Sequence, residues 1–208
     1  MKDSKIITPY MVGLKDRILE TAMTAFAAKG IKAVKMDDIA QMLGISKRTL
    51  YEIYYNKECL LYEGVKKFKQ IKDEELMTLY QQSPNVIDIV LHVYRKKVED
   101  FNKTCPEFYA DISKYPSVVD FLHEDYQQSH ELFIGFLQRG VEEGFFRSGV
   151  DLELVSRMFS AISTYIMEHA LYKEYSMEQI FQNLVLVSLR GFCTTEGVKL
   201  LDQYFDIK

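Results

Sequence analysis

Apolar residues recur along most of this chain at steps of three and four, the spacing that places them on one face of a helix. Leu14, Ile18, Ala22, Ala25 and Phe26 mark a first amphipathic helix, which Lys29-Gly30 ends. Met36, Ile39, Ala40 and Leu43 mark a short second one. Gly44 closes it, where a residue able to take positive φ is wanted. Ile45 follows as a buried hinge point, and Ser46 can cap a third helix over 47–54 by accepting a bond from its first N–H groups. Leu50, Ile53 and Tyr54 share the inward face of that helix. Asn56 can cap a long helix over 57–82, patterned by Leu61, Val65, Phe68, Leu76 and Leu79. Ser83-Pro84-Asn85 breaks it. Beyond the break the pattern predicts helices over 86–103, 106–112, 117–143, 151–172 and 177–193, with a loop over 144–150. Val118, Leu122, Tyr126, Phe133 and Leu137 are spaced for burial on the third of these, and Thr195 can cap a short last helix reaching Tyr204. Residues 1–12, irregular around Pro9, read as a mobile arm.

Two short helices joined by a tight glycine-bearing turn make a helix-turn-helix. Lys47, Arg48, Thr49, Tyr51 and Glu52 are left at the N-terminal end and outer side of its second helix. A helical hairpin with a solvated charged face satisfies the same spacing. The order of residues is more particular: Asp37-Asp-Ile-Ala-x-x-Leu-Gly-Ile-Ser-Lys-x-Thr-Leu-Tyr, then Asn56-Lys-Glu-x-Leu. From about Ile18 to Leu61 it resembles the DNA-binding domain of the tetracycline-repressor (TetR) family.

That resemblance implies that the third helix enters a major groove of double-stranded DNA. Lys47, Arg48 and Glu52 then face base edges, Ser46 caps the helix, and Thr49, Tyr51 and Lys57 match the family's phosphate contacts. Lys35 stands where the family usually has Ser or Thr, so a side-chain cap is lost and a cation is gained. Ile53 stands where His or Tyr is common, which shifts backbone contacts elsewhere, Tyr55 being the candidate. Further on, Gly140-Val-Glu-Glu-Gly-Phe-Phe-Arg and Leu189-Arg-Gly-Phe-Cys-Thr-Thr-Glu-Gly are similar to the family's regulatory domain. The implied architecture is all-α. A helix-turn-helix domain over 1–60 is joined, by a long helix and no flexible linker, to an effector-binding and dimerisation domain over 61–208. By the same resemblance the last two long helices form a homodimer seam through Ile162, Ile166, Leu184, Val187, Ser188 and Gly191. The middle helices surround a pocket for an effector, apolar or aromatic in character and otherwise unknown. Burial of the seam residues against their own subunit is the other use of them.

Composition agrees with this without requiring it. Hydrophobic residues make up 48 % and charged residues 27 % of 208, with only four prolines, which suits a packed helical protein. Through Lys72 there are 14 Lys+Arg against 8 Asp+Glu, a charge of +6; the remainder carries 12 against 22, a charge of −10. A basic end on an acidic chain is what binding of phosphates at that end requires. No apolar run is long enough to span a membrane and the N-terminus lacks a signal-peptide core. Cys59, Cys105 and Cys193 show no CxxC pairing; reduced thiols in a cytoplasm are the expectation. His123 and His130 are seven apart, too far along a helix to share a metal ion, so surface histidines are expected, and His169 reads as a bonded core or interface histidine. Neither metal nor cofactor is expected, and nothing resembles a nucleophile motif, so an enzyme has little support. The function expected is a repressor released from an inverted-repeat operator by a small molecule. A ligand-independent DNA-organising or protein-interaction module on the same fold is the alternative; it would show many cognate sites and no effector-dependent release.

Overall fold

The computed structural model describes residues 9–205, except for the side chains at 9–10 and 125–128. Most of the expected arm, and the burial of Tyr126, lie outside the described residues. The regular elements among them are all helices, with one isolated antiparallel bridge between Phe146 and Cys193. The helices are α1 Pro9–Lys29, α2 Met36–Leu43, α3 Lys47–Ile53, α4 Lys57–Gln82, α5 Val86–Asn102, α6 Pro106–Ile112 and α7 Pro116–Glu142. After these come α8 Leu152–Glu168, α9 Met177–Ile180, α10 Val187–Phe192 and α11 Thr195–Phe205. Among the described residues no helix is long and apolar enough to cross a membrane. The chain forms two compact units, Met1–Ile71 with Thr104–Phe121, and Lys72–Lys103 with Leu122–Lys208. Both α4 and α7 contribute to each.

The first unit closes on Ile18, Ala22 and Phe26 of α1, Ile39 and Ala40 of α2, Leu50 of α3, and Leu60 and Leu61 of α4, all buried. These are the positions at which the helical period places apolar residues. The turn between α2 and α3 is made by Gly44 at φ 65°, while the Ile45 N–H donates to the Ala40 carbonyl at 3.0 Å. A Cβ at Gly44 would meet nothing within 4 Å, so backbone conformation alone calls for glycine there. Ile45 is only half-buried, less than its place as a hinge suggests, because the turn lies at the surface. Tyr54 is buried but falls just past α3, as its C-cap residue. Among the described residues its hydroxyl finds no partner.

The second unit packs Val86, Ile87 and Val90 of α5 with Leu137 of α7, Phe146, Phe181, Leu186, Leu189, Phe192 and Leu201. Aromatic rings meet edge to face, Phe146 with Phe192 at 4.9 Å and Phe136 with Phe146 at 5.6 Å between centroids. Gly140 faces the Phe146 ring so closely that a Cβ would overlap it. Asn85 caps α5 by accepting from the Ile87 and Asp88 N–H groups, and Asp151 caps α8 by accepting from Glu153 and Leu154.

Leu122, spaced for burial, is exposed, and three expectations about the helices of this unit also need correction. The helix expected over 151–172 stops at Glu168: Ala170 takes φ 50°, and a single 3-10 turn, Leu171–Lys173, follows. The helix expected over 177–193 contains a π-helical stretch, Phe181–Leu186, before α10, and such wide turns insert an extra residue. The last helix is capped by Thr194 rather than Thr195. The Thr194 hydroxyl accepts from the Gly197 N–H at 3.1 Å and donates to the Gly144 carbonyl at 2.8 Å.

Candidate nucleic-acid interface and ligand cavity

Ser46 accepts the Thr49 N–H at 3.0 Å and shares a second bond with the Thr49 hydroxyl at 2.8 Å, so the first turn of α3 is fixed from both sides. Leu50 is fully buried beneath it. What remains outward is polar: the Arg48 side chain is 89 % exposed, with Tyr51, Glu52 and Lys47 also exposed and Thr49 half-buried. Two of these charges are held by neighbours. Lys47 donates to Asp37 at 2.5 Å across the turn, and this bond with its carboxylate raises the ammonium's pKa. Arg48 Nε donates to Glu52 Oε1 at 3.0 Å, one helical turn on. Glu52 therefore orients a guanidinium whose remaining donors point outward. Tyr55 is 83 % exposed just beyond α3, while Ile53 is half-buried.

Lys35 and Lys57 are placed differently from each other. Lys35 precedes α2, exposed and without a side-chain cap; the Asp38 carboxylate instead accepts the Lys35 N–H at 2.8 Å. Half of a capping box therefore survives the loss of a capping hydroxyl. Lys57 folds back, its ammonium donating to the Ile31 carbonyl at 2.8 Å and reaching the Lys32 carbonyl at 3.5 Å. Burial lowers its pKa. It therefore clamps the α1–α2 loop as well as carrying charge. Asp111 on α6, which sequence reasoning missed, grips the same loop: it accepts the Lys32 N–H at 2.7 Å and pairs with Lys114 at 2.7 Å. Burial pushes its carboxyl up, but those two partners outweigh burial and hold it below the ordinary carboxylate range.

In the second unit, a cavity of about 260 Å³ is lined by α4, α5, α7, α8 and the 181–189 segment. Its wall is mainly Leu, Ile, Val and Phe, including Phe133, Phe136, Phe159 and Phe181. Arg139 anchors the elements at one end of it. The guanidinium donates to the carbonyls of Tyr80 at 2.5 Å and Ser83 at 2.7 Å and to Glu143 at 2.6 Å; the other Glu143 oxygen accepts the Val86 N–H at 2.8 Å. The C-terminus of α4, the N-terminus of α5 and α7 are thereby joined by one ion pair.

The expected seam residues share an outward face with other apolar side chains. Val187 is 60 % exposed and Leu154 64 %; Gly191 is exposed, and Ile162, Ile166, Leu184 and Ser188 are half-buried. A Cβ at Gly191 would meet nothing within 4 Å. Cys193, by contrast, is 1 % exposed in the core, and burial pushes its thiol up to about 12. His130 is not the surface histidine expected. It bridges α7 to α8, with Ser156 Oγ at 2.9 Å and Glu153 at 3.0 Å. His169 is exposed, stacked on Tyr165 at 4.0 Å, and His123 is exposed as expected. Among the described residues no group of three or more His, Cys, Asp or Glu is placed to hold a metal ion.

Comparison with known proteins agrees with the helix-turn-helix and extends past it. Residues 18–63 match the family described as bacterial regulatory proteins, tetR family. The HTH-type transcriptional repressor KstR2 of Mycolicibacterium smegmatis is 27 % identical over 89 % of this chain and 93 % of its own. The chain belongs to the TetR family. Two solved structures share the fold of this TetR-family regulator. The ketosteroid transcriptional regulator KstR2 of Mycobacterium tuberculosis matches with TM-score 0.58 at 20 % identity, over 87 % of this chain and 95 % of its own. A TetR-family transcriptional regulator of Agrobacterium tumefaciens matches with TM-score 0.69 at 16 % identity, over 88 % and 99 %. The chain is thus a DNA-binding transcriptional regulator, with its helix-turn-helix on α2 and α3.

Proposed function

We propose that this TetR-family regulator is a homodimeric repressor that grips an inverted-repeat operator through α3 and lets go when a small molecule fills the cavity of its second unit. Repression is the sign carried by the name of its relative KstR2. The observation that carries the rest is that cavity and seam share helices. On α8, Phe159 lines the cavity while Met158 and Ile162 lie on the outward face. On the 181–191 segment, Phe181, Val185 and Leu189 line it while Leu184, Val187 and Gly191 face outward. A ligand that moves one set moves the other. The π-helical stretch, with its wider turns, is where such a change in register meets least resistance.

α4 supplies the second route. Leu60, Leu61 and Val65 are buried in the first unit's core, and Leu76, Met77 and Tyr80 of the same helix line the cavity. Displacing that helix alters the separation of two recognition helices in a dimer. A ligand achieves this only by binding the non-operator geometry more tightly, and a tenfold loss of operator affinity needs about 1.4 kcal/mol of such preference.

Selection from random duplexes is expected to return a two-fold symmetric site with half-sites about 34–36 Å apart, or a multiple of that. Affinity should fall steeply with salt as phosphate neutralisation releases counterions. A selection yielding no symmetric site would sink the reading. Lys47 and Arg48 are suited to guanine and Glu52 to cytosine N4; Thr49, Tyr51, Lys35 and Lys57 are suited to phosphates.

Glu52 and Lys57 separate base reading from backbone holding. Glu52→Ala is expected to weaken the selected site by about 1–3 kcal/mol while sparing random duplexes. Lys57→Ala should weaken every duplex and reduce the salt slope by about one. Titrations of both variants at several salt concentrations check this. Uniform tightening by Glu52→Ala would restrict Glu52 to restraining Arg48.

A further inference from the structure

Lys47 opens α3 and Asp37 stands in the first turn of α2, so the bond between them crosses the turn of the helix-turn-helix. The two side chains are 66 % and 46 % exposed. An ion pair this open to solvent adds little to folding. Nor is Asp37 needed at the start of α2, because Asp38 accepts the Lys35 N–H there. What the pair does change is the charge that the outer side of α3 offers. A lysine ammonium has three donors. Asp37 takes one of them and cancels the charge, and two are left for another acceptor.

The acceptors of DNA differ in how they meet such a pair. A phosphate oxygen bonded to the Lys47 ammonium would bring its negative charge to roughly 5 Å from the Asp37 carboxylate, one hydrogen-bond length on either side of the nitrogen. That is inside the screening length at physiological salt, so the acid offsets much of what the cation gains. O6 and N7 of guanine carry no formal charge, and a bond to them leaves the ion pair intact. Paired in this way, Lys47 favours a base edge over the backbone. Backbone holding falls to the other groups suited to phosphates, Lys35, Lys57, Thr49 and Tyr51. We propose that Asp37 is a specificity-determining residue of this regulator, acting through Lys47. By restraining that lysine it denies random duplexes a phosphate contact, while a guanine in the operator still receives one. This deepens the reading of α3 as the helix that grips the operator, and rests on it.

Fluorescence anisotropy on the full chain tests this, with the duplex returned by selection and a random duplex of the same length, at about 50 to 200 mM salt. Asp37→Asn is expected to tighten the random duplex about tenfold at the low-salt end. Its salt slope should steepen by about one per protomer, because the released lysine neutralises a phosphate. The selected duplex should become no tighter, so discrimination falls about tenfold. Asp37→Asn combined with Lys47→Gln removes both charges. Random-duplex affinity and slope should then return to the wild-type values, with the selected duplex weakened about tenfold by loss of the guanine contact. Asp37→Glu keeps the charge and should keep wild-type discrimination. Equal tightening of both duplexes by Asp37→Asn overturns the proposal, since loss of any nearby acid does that. So does a slope for the double variant about one per protomer shallower than wild type, because Lys47 then already holds a phosphate. A loss of discrimination as large in Asp37→Glu as in Asp37→Asn assigns the effect to the local fold of α2 and overturns it too. Wild-type discrimination unmoved by Asp37→Asn ends this inference and keeps the operator reading. A wild-type chain with no preference for any symmetric duplex ends both.

Discussion

Val187→Asp is expected to leave a folded protomer that no longer dimerises and no longer holds an operator. Val187 is already 60 % exposed, so the protomer loses little core by the change. In the proposed dimer the residue lies in the seam, and two-fold symmetry places two new carboxylates there at once. Burying an unpaired charge costs several kcal/mol; about 3 kcal/mol per dimer already raises the dissociation constant more than a hundredfold. A monomer presents a single recognition helix, and operator affinity should fall by about three orders of magnitude, toward that for random DNA. Leu184→Asp, on the same face, should act in the same direction. Sedimentation velocity alongside a thermal melt checks the pair: an unchanged dimer in both variants would remove this seam.

Arg139→Met is expected to destabilise the second unit by about 2–4 kcal/mol, at or below the lower part of the range for stranding one member of a buried ion pair. Arg139 and Glu143 side chains are 20 % and 22 % exposed, so water offsets part of the loss. Two carbonyls, of Tyr80 and Ser83, and the Glu143 carboxylate would lose a charged donor together. Urea unfolding followed by far-UV circular dichroism measures the change. The double variant Arg139→Met with Glu143→Gln should recover part of the loss, because no charge is then left unpaired. Equal stability of the single and double variants would count against an electrostatic origin. Because Tyr80 also lines the cavity, the single variant should weaken ligand binding there as well.

Much of the fold was written in short-range chemistry. Apolar periodicity placed α1, α2, α5, α6 and α7 to within a few residues, and α4 at its observed bounds, because burial of one helical face is decided every third or fourth residue. Gly44, Ser46 and Asn56 act as their side chains require, since a cap needs only a partner three residues away. The polar side of α3 was legible for the same reason: Leu50 must point inward, and Lys47, Arg48, Tyr51 and Glu52 are what is left. Similarity to KstR2 and to the TetR family is what makes that surface the candidate for DNA.

Tertiary structure decided what spacing along the chain does not encode. Thr194 and Thr195 are equally able to cap α11; the Gly144 carbonyl, fifty residues earlier, selects Thr194. Asp111 acts on a loop 79 positions away, and Arg139 on carbonyls 56 and 59 positions away. No local pattern distinguishes these two from solvated surface charges. His130 was read as one such surface residue until α8 brought Ser156 against it. Lys57, expected at a phosphate, also clamps a loop 25 and 26 positions earlier. The cavity shows the contrast most clearly. Its aromatic residues were visible in the composition, but a filled core uses the same residues, and only the packing of five segments leaves a space among them. Helices and caps are local free-energy minima that a sequence displays; cavities, ion pairs and seams exist only where distant segments meet.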